Sequence, residues 1–211
     1  MKNDHWNQRE IIKYHKQSKR QYAGEIIAKE LIKLSKKYIG HSVLDVGAGN
    51  GAIMKQIPGS IGIDLAPKDK AIKKGGIENI PFGSEEFDTI FCTEVLEHLD
   101  NTILHKGLAE VYRVLKKGGY FITTVPYNED LKAHEIFCPK CGSRFHRVGH
   151  IQSFNKKSMQ SLLSKNKFKI IVNRSVPFSY FKRYPYLRPF LQLLSDKEII
   201  KNKKLFTVAQ K

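Results

Sequence analysis

The chain has 211 residues, of which 41% are hydrophobic, and its 37 Lys and Arg residues against 20 Asp and Glu residues give a net charge of +17. This length is sufficient for one domain with a buried core, so we expect a single domain over residues 1–211. The apolar runs are too short to span a membrane, and no secretory signal sequence opens the chain. These features exclude a transmembrane protein and predict a cytoplasmic one.

The first predicted element is a helix at residues 24–38, inside an N-terminal helical segment at 1–40. Its apolar side chains recur at helical spacing, and we expect this stripe to cover one edge of a sheet. The members of the stripe are Ile26, Ile27, Leu31, Ile32 and Leu34.

The pattern that follows, at residues 43–51, indicates a ligand site. An apolar run at 43–46 predicts a buried strand, and three glycines then form a turn that lets the backbone approach a ligand. A helical pattern comes next, and a second strand at 60–64 ends on Asp64. Together these features predict a nucleotide-binding βαβ unit whose terminal acid is placed to hold ribose hydroxyls.

Asp45 helps to distinguish between two kinds of nucleotide ligand for this turn. The glycine spacing also fits a dinucleotide turn, with Ala52 in place of the last glycine. A carboxylate inside the strand would repel a pyrophosphate, whereas it would attract a ligand that carries an ammonium and a sulfonium. Asp45 therefore favours the second kind of ligand.

The remaining elements alternate between strands and helices. This alternation predicts an α/β fold with a mainly parallel sheet and helices on both faces. Further strands are predicted at 76–80, 87–92, 119–125, 168–176 and 204–209, with the clearest helices at 101–116 and 155–166.

Two segments, 126–154 and 177–203, do not fit this alternation. Each follows a parallel strand, and ligands of open α/β sheets bind at the carboxyl edge, so both are expected at the rim of the active site. Residues 131–211 hold 18 Lys and Arg against 3 Asp and Glu. The positive electrostatic field of such a segment attracts phosphates, nucleic acid or acidic lipid head groups. The alternative is a lysine-rich surface without a partner.

The first segment contains a possible zinc site. Cys138 and Cys141 form a Cys-x-x-Cys followed by glycine, and His146 and His150 come next at spacings that one tetrahedral zinc can collect. Four such ligands would close the site, which indicates a structural metal. His134 is a spare ligand, and the alternative is reduced thiols and unconnected histidines on a surface loop.

The second segment alternates aromatic with basic side chains between Pro177 and Leu191. This composition suits a membrane interface, where aromatic rings lie at head-group level and basic residues meet phosphates. It also suits stacked bases of a nucleic acid. A third interpretation is a lid that covers the acceptor pocket.

These motifs resemble the class I S-adenosylmethionine-dependent methyltransferases, and most closely their small-molecule branch. The resemblance covers about residues 20–175 and depends on five pieces in the family's order. They are Leu44-Asp45-Val46-Gly47-Ala48-Gly49-Asn50-Gly51, Gly62-Ile63-Asp64-Leu65, Ile80-Pro81-Phe82 with Phe87-Asp88, Glu94-Val95-Leu96-Glu97-His98-Leu99, and Leu115-Lys116-Lys117-Gly118-Gly119.

The resemblance implies a Rossmann-like sheet of seven strands with the last one antiparallel, and S-adenosylmethionine as the methyl donor. It places Asp45, Gly47 and Gly49 at the methionine end of the donor and Asp64 on the ribose diol. Leu65 and Ile80 would flank the adenine. Gly76 stands where the family usually has an Asp that contacts the adenine amino group, so the backbone at Ile77 would take that contact. Ala48 and Thr93 complete the predicted set.

The predicted reaction is O- or N-methylation of a small-molecule or lipid-linked acceptor, which needs positioning and, for a hydroxyl acceptor, a general base. The candidate bases are His150, His98 and Glu94. The alternatives are an RNA methyltransferase that grips the strand with a zinc-knuckle-like insert, and a non-catalytic zinc-containing binding protein. A peripheral membrane contact is compatible with the basic rim.

Overall fold

The computed structural model describes residues 23–139, 141–201 and 203–211. The first 22 residues of the predicted N-terminal segment 1–40 therefore lie outside the described ranges. The predicted helix at 24–38 is present as α1 (Ala23–Ser35), which continues as a 3-10 turn at Lys36–Tyr38.

Within the described ranges, seven strands form one sheet and two more form a hairpin. The order in the sheet is β3-β2-β1-β4-β5-β9-β8, and β9 is antiparallel to both of its neighbours. This confirms the predicted Rossmann-like sheet with an antiparallel last strand. The strands are β1 (Val43–Val46), β2 (Ile61–Asp64), β3 (Ile72–Lys74), β4 (Phe87–Thr93), β5 (Leu115–Pro126), β6 (Glu135–Phe137), β7 (Arg144–His146), β8 (Lys169–Val176) and β9 (Lys204–Gln210).

Helices cover both faces of the sheet, as predicted, because side chains alternate along each strand. Ile90 and Phe121 belong to the core beneath α2 (Asn101–Val114) and α3 (Lys156–Lys165). Their neighbours Phe91 and Ile122 belong to the core beneath α1. None of the helices in the described ranges is long and apolar enough to cross a membrane.

Two local predictions were wrong. The third strand is Ile72–Lys74 and not 76–80, because Gly75 and Gly76 begin a turn that closes with the Asn79 N–H donating to the carbonyl of Gly76 at 3.2 Å. The helix expected after the glycine turn is only a short run of turns at 51–56.

Both predicted rim segments leave the carboxyl edge of the sheet. The first contains the hairpin β6–β7, in which Glu135 pairs with His146. The second folds into α4 (Phe178–Arg183), a 3-10 turn and α5 (Arg188–Asp196). Phe178, Phe181 and Leu191 are buried in the core that α1 covers.

The glycine turn after β1 gives a stability prediction. Gly47 has a φ of +76°, and a Cβ atom placed on it would lie 2.3 Å from Cγ2 of Val95. Gly47→Ala is therefore expected to lower the free energy of unfolding by about 2–5 kcal/mol, from the left-handed backbone and the clash together.

Chemical denaturation measures this effect, and Gly59→Ala is the matched control. Gly59 has a φ of +84° and no heavy atom within 4 Å of its virtual Cβ, so it isolates the backbone contribution. Equal losses in the two variants would contradict the role assigned to the contact with Val95.

Candidate active site

Asp45 is a buried carboxyl at the end of β1 whose Oδ1 atom has no hydrogen-bond partner among the described residues. Burial, and then the charge of Asp64, raises its pKa from 3.8 to about 7. A buried polar atom without a partner is costly unless a ligand completes its contacts. The position therefore suits the cationic methionine end of S-adenosylmethionine, because an ammonium group would both pair with the carboxylate and favour its ionised form.

Asp64, at the end of β2, holds the glycine turn in place. Its Oδ2 accepts the N–H of Gly49 at 2.8 Å, and its Oδ1 accepts the N–H of Ala66 at 2.7 Å. Each carboxylate oxygen has a second lone pair, so these bonds leave capacity for ribose hydroxyls. The predicted site residues Asp45, Gly47, Ala48, Gly49 and Asp64 all lie on this β1–turn–β2 unit.

The residues predicted to contact the adenine differ in their exposure to solvent. Leu65 is partly exposed next to Asp64, as an adenine contact requires. Ile80 is only 2% exposed, lies in the core beneath α2, and its N–H donates to Glu110 Oε2 at 3.0 Å. Ile80 is thus a core residue, and its predicted contact with the ring stays a prediction. Ile77 is buried in the same core, and its backbone contact stays a prediction.

The loop after β4 has an unusual backbone conformation. Thr93 is the last residue of β4, and Glu94 follows with a φ of +55°, a region that non-glycine residues seldom adopt outside functional or tightly constrained sites. The Glu94 carboxylate forms an ion pair with Lys204 of β9. The predicted base Glu94 is therefore already engaged with a cation.

Glu97 joins this loop to the first rim segment. Its backbone carbonyl accepts the N–H groups of Ile151 and Gln152 at 2.9 and 3.2 Å. Its side chain is buried, and neither carboxyl oxygen has a hydrogen-bond partner among the described residues. Burial, followed by the charge of Glu94, raises the pKa of Glu97 well above its usual range, so the neutral carboxyl is favoured.

His150 lies between Glu97 and Glu129. Its Nδ1 is 2.5 Å from Glu129 Oε2, and its Nε2 is 4.0 Å from Glu97 Oε1. Burial alone would raise the pKa of Glu129, but the hydrogen bond from His150 and the nearby histidines lower it overall. An ionised carboxylate only accepts, so Nδ1 donates, and Nε2 of the neutral ring carries the lone pair. In its neutral form, His150 therefore has the tautomer that a general base requires.

The second predicted histidine, His98, packs against His150. The two ring centroids are 4.8 Å apart in an edge-to-face arrangement. His98 Nδ1 lies 3.1 Å from the carbonyl of Gly149. Two imidazoles therefore meet at the rim, and the one held by a carboxylate is His150.

Two groups of side chains have the ligand types of a metal site. Glu97, His98 and His150 form one group and Glu129, His146 and His150 the other, with the ligand atoms of each group within 4.8 Å of one another. In the second group, Nδ1 of His146 accepts the N–H of His150 at 3.1 Å, so the neutral ring carries its proton on Nε2. That nitrogen lies 3.5 Å from Glu129 Oε1 and has no hydrogen-bond partner among the described residues.

The zinc ligand set predicted from the sequence is not assembled in the described part of the chain. Cys138 and Cys141 lie at the tip of the β6–β7 hairpin, where the Gly142 N–H donates to the Cys138 carbonyl at 2.9 Å. His146 lies at the open end of the hairpin, about 10 Å away at the rise of a β-strand. Neither cysteine belongs to a group of three ligand atoms in the described ranges.

Sequence reasoning missed Glu97, Glu129 and Lys204 as members of the site. Glu129 follows β5 by three residues, and acids beyond the carboxyl ends of parallel strands are candidates for a site. Lys204 had no comparable signal, because it reaches Glu94 only through the pairing of β9 with β5.

The comparisons with known proteins agree with this geometry. A family model described as a methyltransferase domain matches residues 14–172. An uncharacterised protein of Methanocaldococcus jannaschii is 29% identical over 203 residues, which are 90% of this chain and 87% of that protein.

Two solved structures share the fold. One is a methyltransferase candidate of Haloferax volcanii in complex with the methyltransferase activator Trm112, with a TM-score of 0.66, 16% identity and coverage of 95% of this chain and 97% of that one. The other is the 1,6-didemethyltoxoflavin-N1-methyltransferase of Burkholderia thailandensis with bound S-adenosylhomocysteine. Its TM-score is 0.61, with 17% identity and coverage of 88% and 78%. The chain belongs to the methyltransferase-domain family and is a class I S-adenosylmethionine-dependent methyltransferase.

Proposed function

We propose that this methyltransferase acts on a hydroxyl or amino group of a small-molecule or lipid-linked acceptor, with His150 as general base. The observation that carries the proposal is the hydrogen bond between His150 Nδ1 and Glu129, which leaves Nε2 able to take a proton at the rim of the site. When bound, S-adenosylmethionine would supply an electrophilic methyl group on a sulfonium sulfur, and this sulfur would keep the electron pair of the broken S–CH3 bond and leave as a neutral thioether. The proton of the acceptor passes to Nε2 as its oxygen or nitrogen takes the methyl group.

The charge around His150 supports a small acceptor over RNA. Glu94, Glu97 and Glu129 all have side chains no more than 13% exposed, so acidic groups surround a recessed histidine. A phosphate backbone entering this recess would meet the ionised carboxylate of Glu129, which is unfavourable at short range. A neutral or cationic acceptor group meets no such repulsion.

The division of roles follows from position. Asp45 and the glycine turn hold the methionine end of the donor, Asp64 holds the ribose, and Glu129 orients His150. His98 stays a second candidate base, and Glu94 is proposed to position the loop through its pair with Lys204. A zinc ion on Cys138 and Cys141 is not required for these roles.

Calorimetry with S-adenosylmethionine tests the donor site. We expect the unmodified protein to bind the donor and Asp64→Ala to lose most of that binding, because both the ribose contact and the support of Gly49 are removed. Asp69→Ala, an exposed acid of the same loop, is the matched control and should bind like the parent. Absence of binding in the unmodified protein would overturn the assigned donor site.

Transfer of a labelled methyl group tests the acceptor class. Lipid, RNA and small-metabolite extracts are offered separately to the protein with tritiated donor. Label is expected in the lipid or small-metabolite extract, and His150→Ala is expected to transfer it at least about a hundredfold more slowly. Label confined to RNA would replace this proposal with the RNA methyltransferase alternative.

A further inference from the structure

The second rim segment, residues 177–203, exposes apolar side chains that the fold does not require. Tyr186 is 96% exposed, Ile199 is 61% exposed and Phe190 is 55% exposed. Helix α5 already buries Leu191 in the core beneath α1, so Phe190 and Leu193 form a second apolar stripe on the same helix. Several exposed apolar side chains within one short segment indicate an interaction site.

Cations border this apolar surface. Lys182 and Arg183 are exposed at the end of α4, and Lys197 and Lys201 are exposed beyond α5. One of the two acids of the segment, Glu198, is paired with Lys203. The surface therefore combines exposed apolar side chains with exposed positive charge.

We propose that this surface, formed by α4, α5 and the turns beside them, binds an anionic lipid bilayer. Aromatic and aliphatic side chains enter the head-group boundary of a bilayer while lysine and arginine meet its phosphates. Aliphatic side chains such as Leu187, Leu193 and Ile199 have no π-face for stacking on bases, so a nucleic acid would leave them in water. The bilayer accounts for both components of the surface.

Residues 1–22 of the same chain are a poor match for this surface. They contain six Lys and Arg against two Asp and Glu, so their net charge has the same sign as the surface. Charge complementarity therefore favours an external anionic partner over this segment.

The position of the surface relates it to the reaction. Its segment leaves the carboxyl end of β8, at the same edge of the sheet as the glycine turn and the loop after β4. A membrane-resident acceptor would thus be presented at the edge that holds the site. This last step rests on the proposed function, whereas the lipid binding does not.

Flotation with vesicles tests the proposal. The full chain is mixed with vesicles of phosphatidylcholine alone, or of phosphatidylcholine with phosphatidylglycerol. We expect flotation with the second kind only, with a decrease as salt is raised. The double variant Lys182→Gln, Arg183→Gln should bind roughly 25-fold more weakly, at about fivefold for each charge. The double variant Phe190→Ser, Leu193→Ser should bind roughly tenfold more weakly.

Matched controls distinguish binding through this surface from nonspecific electrostatic or hydrophobic binding to the vesicles. Lys55→Gln with Lys70→Gln removes two exposed charges elsewhere, and Ile171→Ser removes an exposed apolar side chain of β8. Both controls should float like the parent, and all variants should keep donor binding by calorimetry. Failure to float on anionic vesicles, equal flotation on both kinds, or binding to RNA without vesicle binding would overturn the proposal. Loss of donor binding in the parent would count against the proposed function alone.

Discussion

Asp45→Asn is expected to weaken S-adenosylmethionine binding roughly a hundredfold, the effect of removing about 3 kcal/mol of a buried ion pair. The same change should make the ligand-free protein more stable at alkaline pH. Both effects have one cause, which is a buried carboxyl whose Oδ1 has no protein partner in the described ranges. The ionised carboxyl destabilises the ligand-free fold, but it stabilises the bound donor.

The pH dependence of stability follows from the pKa of Asp45. Burial raises this pKa from 3.8 to about 7, so between these values the folded protein binds more protons than the unfolded chain. Stability therefore falls as pH rises, and the full cost, about 4 kcal/mol, is reached above pH 7. Asparagine has no such titration. The stability advantage of Asp45→Asn should grow from pH 5 to pH 8, as measured by chemical denaturation.

Donor binding should show the opposite trend with pH. Below about pH 7 the carboxyl must lose its proton before it can pair with an ammonium, so affinity should rise up to tenfold per pH unit and then level off. Calorimetry at several pH values measures this slope, and Asp69→Asn, at an exposed position, should keep it. Asp45→Asn that binds the donor as tightly as the parent would refute the assignment of this residue.

His150→Ala is expected to lower kcat about 100- to 1,000-fold on an acceptor that must lose a proton, because general bases contribute that much. Glu129→Gln should approach the same loss by another route. The glutamine amide can donate to Nδ1, which would shift the ring proton to Nε2 and remove the lone pair. Donor affinity should stay unchanged in both variants.

Steady-state kinetics with calorimetry distinguishes this role from a structural one. Glu135→Gln, an exposed acid of the neighbouring hairpin, is the matched control and should keep its kcat. His98→Ala provides the competing test, since its ring adjoins that of His150. If His98→Ala loses activity while His150→Ala retains it, the base is His98. The proposed role of Glu129, which is to orient His150, would then also be wrong.

The errors of sequence reasoning have a common physical origin. The third strand was predicted at 76–80 from its apolar ends, yet Ile77 and Ile80 are buried by packing beneath α2 and not by strand pairing. The zinc site was predicted from spacing along the chain. The hairpin instead carries Cys138 away from His146 and turns that histidine toward Glu129.

The amino-acid sequence by itself determined the α/β class of the mainly parallel sheet and the residues proposed for the donor side of the site, because strand, glycine turn and terminal acid are local and contiguous. Asp45 and Asp64 need only β1, β2 and the turn between them to reach their positions. Only the tertiary structure brings together the residues that we propose for the acceptor side. His150, Glu129 and Glu97 come from separate loops, and their tautomer and protonation depend on burial and on contacts 21 or more residues apart. Such contacts leave no periodic signal in the chain.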